Sequence, residues 1–139
     1  MRILLDTHIL LWLLYDSAHL PDGVKQYFSG EDEVFFSVVS LWETEIKYLR
    51  HKDGIPVPAE RLYASAISAN LSLLGVALEH IAELKTLQFQ AEIGAKQHHD
   101  PFDRILICQA KSEGMAFLTS DKALLGYNEP CVRYLPKKR

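Results

Sequence analysis

The sequence predicts an α/β fold, with a mainly parallel central sheet of about four to five strands and helices on both faces. Short apolar runs of the kind that form buried strands recur along the chain, and segments of helical periodicity separate them. Strands that alternate with helices imply βαβ units with right-handed crossovers, which place helices on both sides of a parallel sheet.

The elements follow in order. Arg2–Leu5 reads as a short buried strand and Thr7–Tyr15 as a helix opened by a polar residue. Pro21–Ser29 reads as a helix with Pro at its first position and Gly30 ending it. Val34–Ser37 is the next strand, and Ser40–Arg50 is an amphipathic helix that stops before the polar, Gly- and Pro-containing loop His51–Pro58. A helix from Ala59 to Asn70 leads into the strand Leu71–Val76, and Glu79–Leu87 returns to helical spacing. Phe89–Gln97 shows no clear period. Pro101–Glu113 has a helical pattern ended by Gly114, Met115–Leu118 is a strand, and Cys131–Leu135 is the last one.

With 139 residues, 48% hydrophobic and 24% charged, the chain suits one globular domain spanning residues 1–139. A net charge of −3 supplies no global field for nucleic acid, so any such binding rests on a local patch or on metal. The two cysteines, Cys108 in an apolar helical run and Cys131 in a late strand, form no framework, which fits a reduced, cytoplasmic protein. No run reaches the roughly 18–20 apolar residues of a membrane span. The most apolar stretch, Ile3–Tyr15, is interrupted by Asp6, Thr7 and His8, so it reads as core and not as a signal peptide.

Four acids fall where such a sheet would gather them. Asp6 and Asp121 follow strand-like runs directly, and ligands of open α/β sheets bind beyond the carboxyl ends of the strands. Glu43 lies early in the helix after the second strand, and Asp103 lies in the first turn of the helix beginning at Pro101. Any one of them can equally be a helix cap or a solvated charge; Asp100-Pro101-Phe102-Asp103 looks like a cap, an N1 proline and an acidic N3. Together they make a cluster that repels itself unless cations fill it. Hard carboxylate oxygens suit Mg²⁺ or Mn²⁺, one or two ions per site, better than Zn²⁺. Metal-assisted phosphodiester cleavage is the leading chemistry for such a cluster.

Other groups could serve the same site. The hydroxyls of Thr7, Ser40, Thr119 and Ser120 could hydrogen-bond phosphate oxygens or water, although capping is the commoner duty of such residues. Arg104 could grip a phosphate or pair with a site acid. Lys47, Arg50, His51 and Lys52 form a basic helix end and Lys137-Lys138-Arg139 a basic terminus, either of which could hold an RNA backbone or simply be solvated. His98-His99 does not make a zinc site, because adjacent histidines seldom reach one ion and no Cys/His spacing completes it. Trp12, Tyr15, Trp42 and Leu49 could line a groove for a partner's amphipathic segment.

Four segments, in order along nearly the whole chain, carry a resemblance: Leu4-Leu5-Asp6-Thr7-His8, Ser37-Val38-Val39-Ser40-Leu41-Trp42-Glu43, Asp100-Pro101-Phe102-Asp103-Arg104 and Leu118-Thr119-Ser120-Asp121. They resemble successive motifs of PIN-domain ribonucleases in the branch of VapC-type toxins. The resemblance implies a metal-dependent RNA endonuclease that is commonly dimeric and paired with an antitoxin, and it places the acidic site on Asp6, Glu43, Asp103 and Asp121. A PIN-like domain that only binds RNA or a partner is the alternative, and the intact acids argue against it. A receiver-type Mg²⁺-binding signalling domain predicts adjacent acids after the first strand, where this chain has Asp6-Thr7, and a late Lys-Pro pair, where it has Pro136-Lys137. A haloacid-dehalogenase-type phosphatase would need an acid where His8 stands.

Overall fold

The computed structural model describes residues 1–28, 30–51, 54–90 and 99–138. Its centre is a five-stranded, all-parallel sheet in the order β3-β2-β1-β4-β5. The strands are β1 (Arg2–Leu5), β2 (Glu33–Ser37), β3 (Ser72–Leu74), β4 (Ala116–Thr119) and β5 (Val132–Tyr134). The helices are α1 (Thr7–Tyr15), α2 (Val38–Leu49), α3 (Ala59–Ser68), α4 (Leu78–Ala82) and α5 (Pro101–Glu113), joined by short 3₁₀ turns. No helix among the described residues is long and apolar enough to cross a membrane.

Period-two alternation divides the core between the two faces of the sheet. Ile3, Leu5, Phe36 and Leu118 meet α1 and α3 on one side; Leu4, Phe35 and Phe117 meet α5 on the other. β1 is buried on both faces, which is why its apolar run does not alternate with polar residues. The chain winds outward from β1 to β3 and then crosses back to β4 on the opposite side of β1. The strand order therefore reverses between β1 and β4, and a crevice opens at their carboxyl ends.

Two helices match their expected bounds because strong local signals fix both ends. Thr7–Tyr15 is one. The other, α5, begins at Pro101 behind the Asp100 side chain, which accepts from Phe102 N and Asp103 N, and ends at Gly114 in the left-handed conformation, φ 70°. Elsewhere the elements are shifted. Pro21–Ser29 is not an α-helix: Pro21 is extended at ψ 141°, and a 3₁₀ helix runs over Asp22–Tyr27. Gly23 weakens an α-helix there, and only Val24 of that turn is buried; Ser29 lies outside the described residues. α2 starts at Val38, two residues ahead of expectation, since Ser37 both ends β2 and caps the helix by accepting from Val39 N. α3 closes at Ser68, and β3 keeps only Ser72–Leu74 of its predicted run.

The helical spacing of Glu79–Leu87 becomes α4 followed by a 3₁₀ turn over Glu83–Thr86. The buried His80 ring fastens this segment: Nδ1 accepts from Ala77 N at 2.9 Å and Nε2 donates to Glu113 at 2.9 Å. Residues 91–98, which hold most of Phe89–Gln97 and also His98, lie outside the described residues. Just before them Phe89 packs edge-on against Tyr127, and Gly126 leaves room for it. A Cβ at Gly126 would stand 2.3 Å from the Phe89 ring.

Candidate active site

The crevice between β1 and β4 is where the acids assemble. Asp6 leaves the end of β1, and its backbone N–H bonds to Leu118 O of β4 at 2.9 Å, which fixes it across the two strands. It also caps α1: Oδ1 accepts from Thr7 N at 2.7 Å. Its second oxygen, Oδ2, accepts from the Thr119 hydroxyl at 2.6 Å. Thr119 Oγ1 in turn accepts from Asp121 N at 3.0 Å, so one hydroxyl orients two acids. Asp121 also caps the next 3₁₀ turn, its Oδ1 accepting from Ala123 N at 3.0 Å.

Glu43 enters from α2 and is buried at 6% exposure. Its Oε1 accepts from the Thr7 hydroxyl at 2.8 Å and its Oε2 from Lys47 Nζ at 3.1 Å. The single hydroxyl proton of Thr7 is thereby committed, so Ser40 Oγ, 2.8 Å away, must donate to Thr7 Oγ1. Asp103 comes from the first turn of α5, whose N-terminus points its positive end toward the same crevice.

Electrostatics bind the four acids into one unit. Burial, followed by the charges of Asp6, Asp100, Glu43 and Asp121, pushes the Asp103 carboxyl up to about 9. Burial also raises Asp6, to about 6; hydrogen bonds from Thr119 and Thr7 oppose the rise, while Glu43 and Asp121 add to it. Raised carboxyl pKa values mark negative charge crowded in a desolvated place, the condition that a cation relieves. The donors are all hard oxygens, which fits Mg²⁺ or Mn²⁺. Among the described residues no three His, Cys, Asp or Glu side chains stand in a ready ligating group. Water would therefore complete the shell, as Mg²⁺ prefers. The thiols offer no rival chemistry: both cysteines are free, and burial pushes Cys108 and Cys131 up to about 11.

The other predicted residues divide. Thr7, Ser40 and Thr119 belong to the hydroxyl shell of the crevice, and Ser120 is buried next to Thr119 in the chain. Lys47 is engaged with Glu43, whereas Arg104 lies over the Tyr127 ring, 5.8 Å from its centroid. Trp12, Tyr15, Trp42 and Leu49 do not share one groove. Tyr15 donates to Ser65 Oγ of α3, Trp12 faces the space between α1 and α2, and Trp42 and Leu49 lie on the outer face of α2, 62% and 65% exposed. The Trp42 indole meets Phe102 edge-on.

Sequence reasoning missed the strut beneath the site. Ser37 Oγ donates to Gln109 Oε1 at 2.6 Å, and Gln109 Nε2 donates to Gly75 O, joining the ends of β2 and β3 to α5. A lone amide within the apolar run Ile105–Ala110 was the available signal, because a fully buried Gln demands partners.

Among curated proteins no sequence matches the chain. Several solved structures share its fold. VapBC2 from Rickettsia felis, bound to a DNA fragment from its promoter, aligns with a TM-score of 0.67 at 14% identity over 99% of this chain and 100% of that one. DNA-bound VapBC from Salmonella typhimurium gives 0.62 at 19% identity, covering 98% of each chain. VapBC-5 from Mycobacterium tuberculosis gives 0.56 at 20% identity, covering 97% and 98%. The family model of the PIN domain matches residues 3–129, nearly the whole chain, and with the reversal point and its acids in place this protein belongs to the PIN domain family.

Proposed function

We propose that this protein is a Mg²⁺- or Mn²⁺-dependent endoribonuclease, the toxin of a toxin–antitoxin pair. The observation that carries the reading is the convergence of the acids: Thr7 bonds to both Asp6 and Glu43, Thr119 bonds to both Asp6 and Asp121, and burial with the charges of Asp6, Asp100, Glu43 and Asp121 pushes the Asp103 carboxyl up to about 9. Buried like charges are costly, and cation chemistry is the economical reason to gather them. PIN-domain membership and the likeness in fold to VapBC toxin–antitoxin assemblies support the same reading.

Asp6 and Asp103 would hold the ion, with Glu43 and Asp121 completing the site directly or through water. When bound, the ion supplies an acidified water and neutralises charge that develops on the phosphate during in-line attack. The chain's own residues keep the acids in place. Thr7 N–H and the Thr119 hydroxyl fix both oxygens of Asp6, while the Thr7 hydroxyl and Lys47 fix both oxygens of Glu43. No side-chain nucleophile is required. Ser40, Ser120 and Arg104 are further candidates to contact RNA.

The partner would be a cognate antitoxin that covers the exposed aromatic and aliphatic side chains of α2 and places a basic group against the acids, with the active protein a homodimer in the cytoplasm. The test is to incubate the purified protein with RNA in Mg²⁺ or Mn²⁺ and sequence the fragments. Discrete cuts that vanish in EDTA and in the Asp6→Asn, Asp103→Asn double variant support the proposal. Cutting that persists unchanged in both overturns it, and an inert protein that still binds RNA would favour the non-catalytic alternative.

A further inference from the structure

The acids reach the crevice on separate elements, and shared hydrogen bonds gather three of them. Thr7 joins Asp6 to Glu43, and Thr119 joins Asp6 to Asp121. Asp103 arrives on α5, so its distance from Glu43 depends on how α5 sits against α2. Two contacts between these elements stand close to the acids. Trp42 and Phe102, the residues just before Glu43 and Asp103, meet edge-on with ring centroids 5.0 Å apart, where Trp42 is exposed. The other contact is the bond between Ser37 and Gln109, both fully buried.

Ser37 and Gln109 form a directed network. Val39 N–H donates to Ser37 Oγ at 3.0 Å, and Gly75 O can only accept. Gln109 therefore turns Nε2 toward Gly75 O, at 3.1 Å, and Oε1 toward Ser37, whose hydroxyl donates to it at 2.6 Å. The partners fix which way the amide points, and one side chain of α5 holds the ends of both β2 and β3.

The placement of this network gives it leverage on the site. Ser37 is the residue at which β2 becomes α2. Glu43 follows Ser37 by six positions and Gln109 follows Asp103 by six, a helical rise of about 9 Å in each case. Neither stretch contains Pro or Gly, the usual sources of a kink, so a shift at the Ser37–Gln109 bond is passed on to both carboxylates. Small divalent ions held by oxygen demand near-ideal ligand spacing, Mg²⁺ above all. Resting on the metal-nuclease reading, we infer that Gln109 is a positioning residue: by holding Ser37 it sets the separation of Glu43 on α2 from Asp103 on α5, and with it the affinity of the acids for a divalent cation.

Four variants test the assignment. Gln109→Met keeps the length of the side chain and removes both bonds, Ser37→Ala removes the link to α5 together with the α2 cap, and Ser37→Thr retains the hydroxyl. Val132→Ala truncates a buried residue of β5, at the far edge of the sheet, and serves as a control that lowers stability without touching the network. Mn²⁺ binding to the metal-free protein is followed by electron paramagnetic resonance at a temperature where circular dichroism shows the variants folded, and RNA cleavage is measured across Mg²⁺ concentrations. Gln109→Met and Ser37→Ala should each weaken Mn²⁺ binding by about tenfold or more, the usual cost of removing a group that orients a metal ligand. They should raise the Mg²⁺ needed for half-maximal cleavage in step, with KM for RNA near that of the parent. Ser37→Thr and Val132→Ala should bind Mn²⁺ as the parent does. Because Ser37→Ala and Gln109→Met break the same bond, the double variant should lose less than the product of the two single losses.

Mn²⁺ affinity in Gln109→Met and Ser37→Ala no lower than in Val132→Ala overturns the inference and leaves the network as a support of the fold alone. A double variant whose loss equals the product overturns it too. If Gln109→Met does not fold, Ser37→Ala against Ser37→Thr decides by the same comparison. A parent that binds Mn²⁺ but cuts no RNA removes the ribonuclease reading, and the Mn²⁺ series then decides the inference by itself. A parent that binds no Mn²⁺ overturns the inference together with the metal site.

Discussion

Thr119 and Asp6 meet across neighbouring strands, the Thr119 hydroxyl donating to Asp6 Oδ2 at 2.6 Å while it accepts from Asp121 N at 3.0 Å. Replacing that hydroxyl with a methyl group strips a donor from a buried carboxylate and leaves the Asp121 N–H unpaired. Thr119→Val should cost about 1–3 kcal/mol in urea denaturation, the range for a buried polar group left unsatisfied, and should depress cleavage. Thr119→Ser, which retains the hydroxyl, should recover most of both. Parent-like stability in Thr119→Val would show that the bond does not organise the acids.

Single acid-to-amide changes should separate activity from folding. Asp6→Asn, Glu43→Gln, Asp103→Asn and Asp121→Asn are each expected to lower RNA cleavage by about a hundredfold or more, because electrostatic stabilisation by a bound metal is worth several kcal/mol. Circular dichroism should remain that of the parent. In metal-free buffer Asp103→Asn should melt no lower than the parent, since Asn needs no bound proton to stay neutral where burial and its neighbours disfavour a carboxylate.

The raised carboxyls also set a pH dependence. Folded Asp103 holds its proton up to about 9 and folded Asp6 up to about 6, against about 3.8 when unfolded. Between those limits the folded state binds more protons than the unfolded one, so these groups lower stability as pH rises. Their contribution is fully present below pH of about 3.8 and is lost through about 6 for Asp6 and about 9 for Asp103. Melting temperatures of the metal-free protein should therefore fall from about pH 6 to about pH 9. Asp103→Asn should flatten the slope, and Mg²⁺ should oppose it by binding the folded state.

The outer face of α2 provides a partner test free of folding effects. Trp42 is 62% exposed and Leu49 65%, so Trp42→Ala and Leu49→Ala should change stability by no more than about 1 kcal/mol. Both should weaken a complex with the antitoxin, with Trp42 the larger loss, since exposed aromatics are frequent anchors. Tyr15→Ala is a less clean probe because it also breaks the bond to Ser65 on α3. Co-purification yield and suppression of RNase activity measure the effect.

Local signals explain what could be read in the chain and what could not. β1, α1 and α5 were legible because an uninterrupted apolar run, a polar first residue, an N1 proline or a terminal glycine fixes each boundary within a few residues. Around Pro21 the cues conflict: proline opens a helix, but Gly23 and sparse burial leave only a 3₁₀ turn. Asp6 and Asp121 were legible because each follows a strand and Asp103 because it opens a helix, whereas Glu43 lies in the middle of α2. Their partners were not, since Thr7 reaches Glu43 across 36 positions and Ser37 reaches Gln109 across 72, and no local pattern encodes such pairings.

The place of β1 in the middle of the sheet governs when the four acids can come together in a growing chain. β1 is synthesised first, yet the strand on one of its sides, β4, is among the last to appear, and Thr119 reaches Asp6 from 113 positions downstream. A nascent chain that ends before α5 carries Asp6 and Glu43 but neither Asp103 nor Asp121, and one edge of β1 stays open. A fragment that stops before α5 would therefore lack half of the acids of the proposed site.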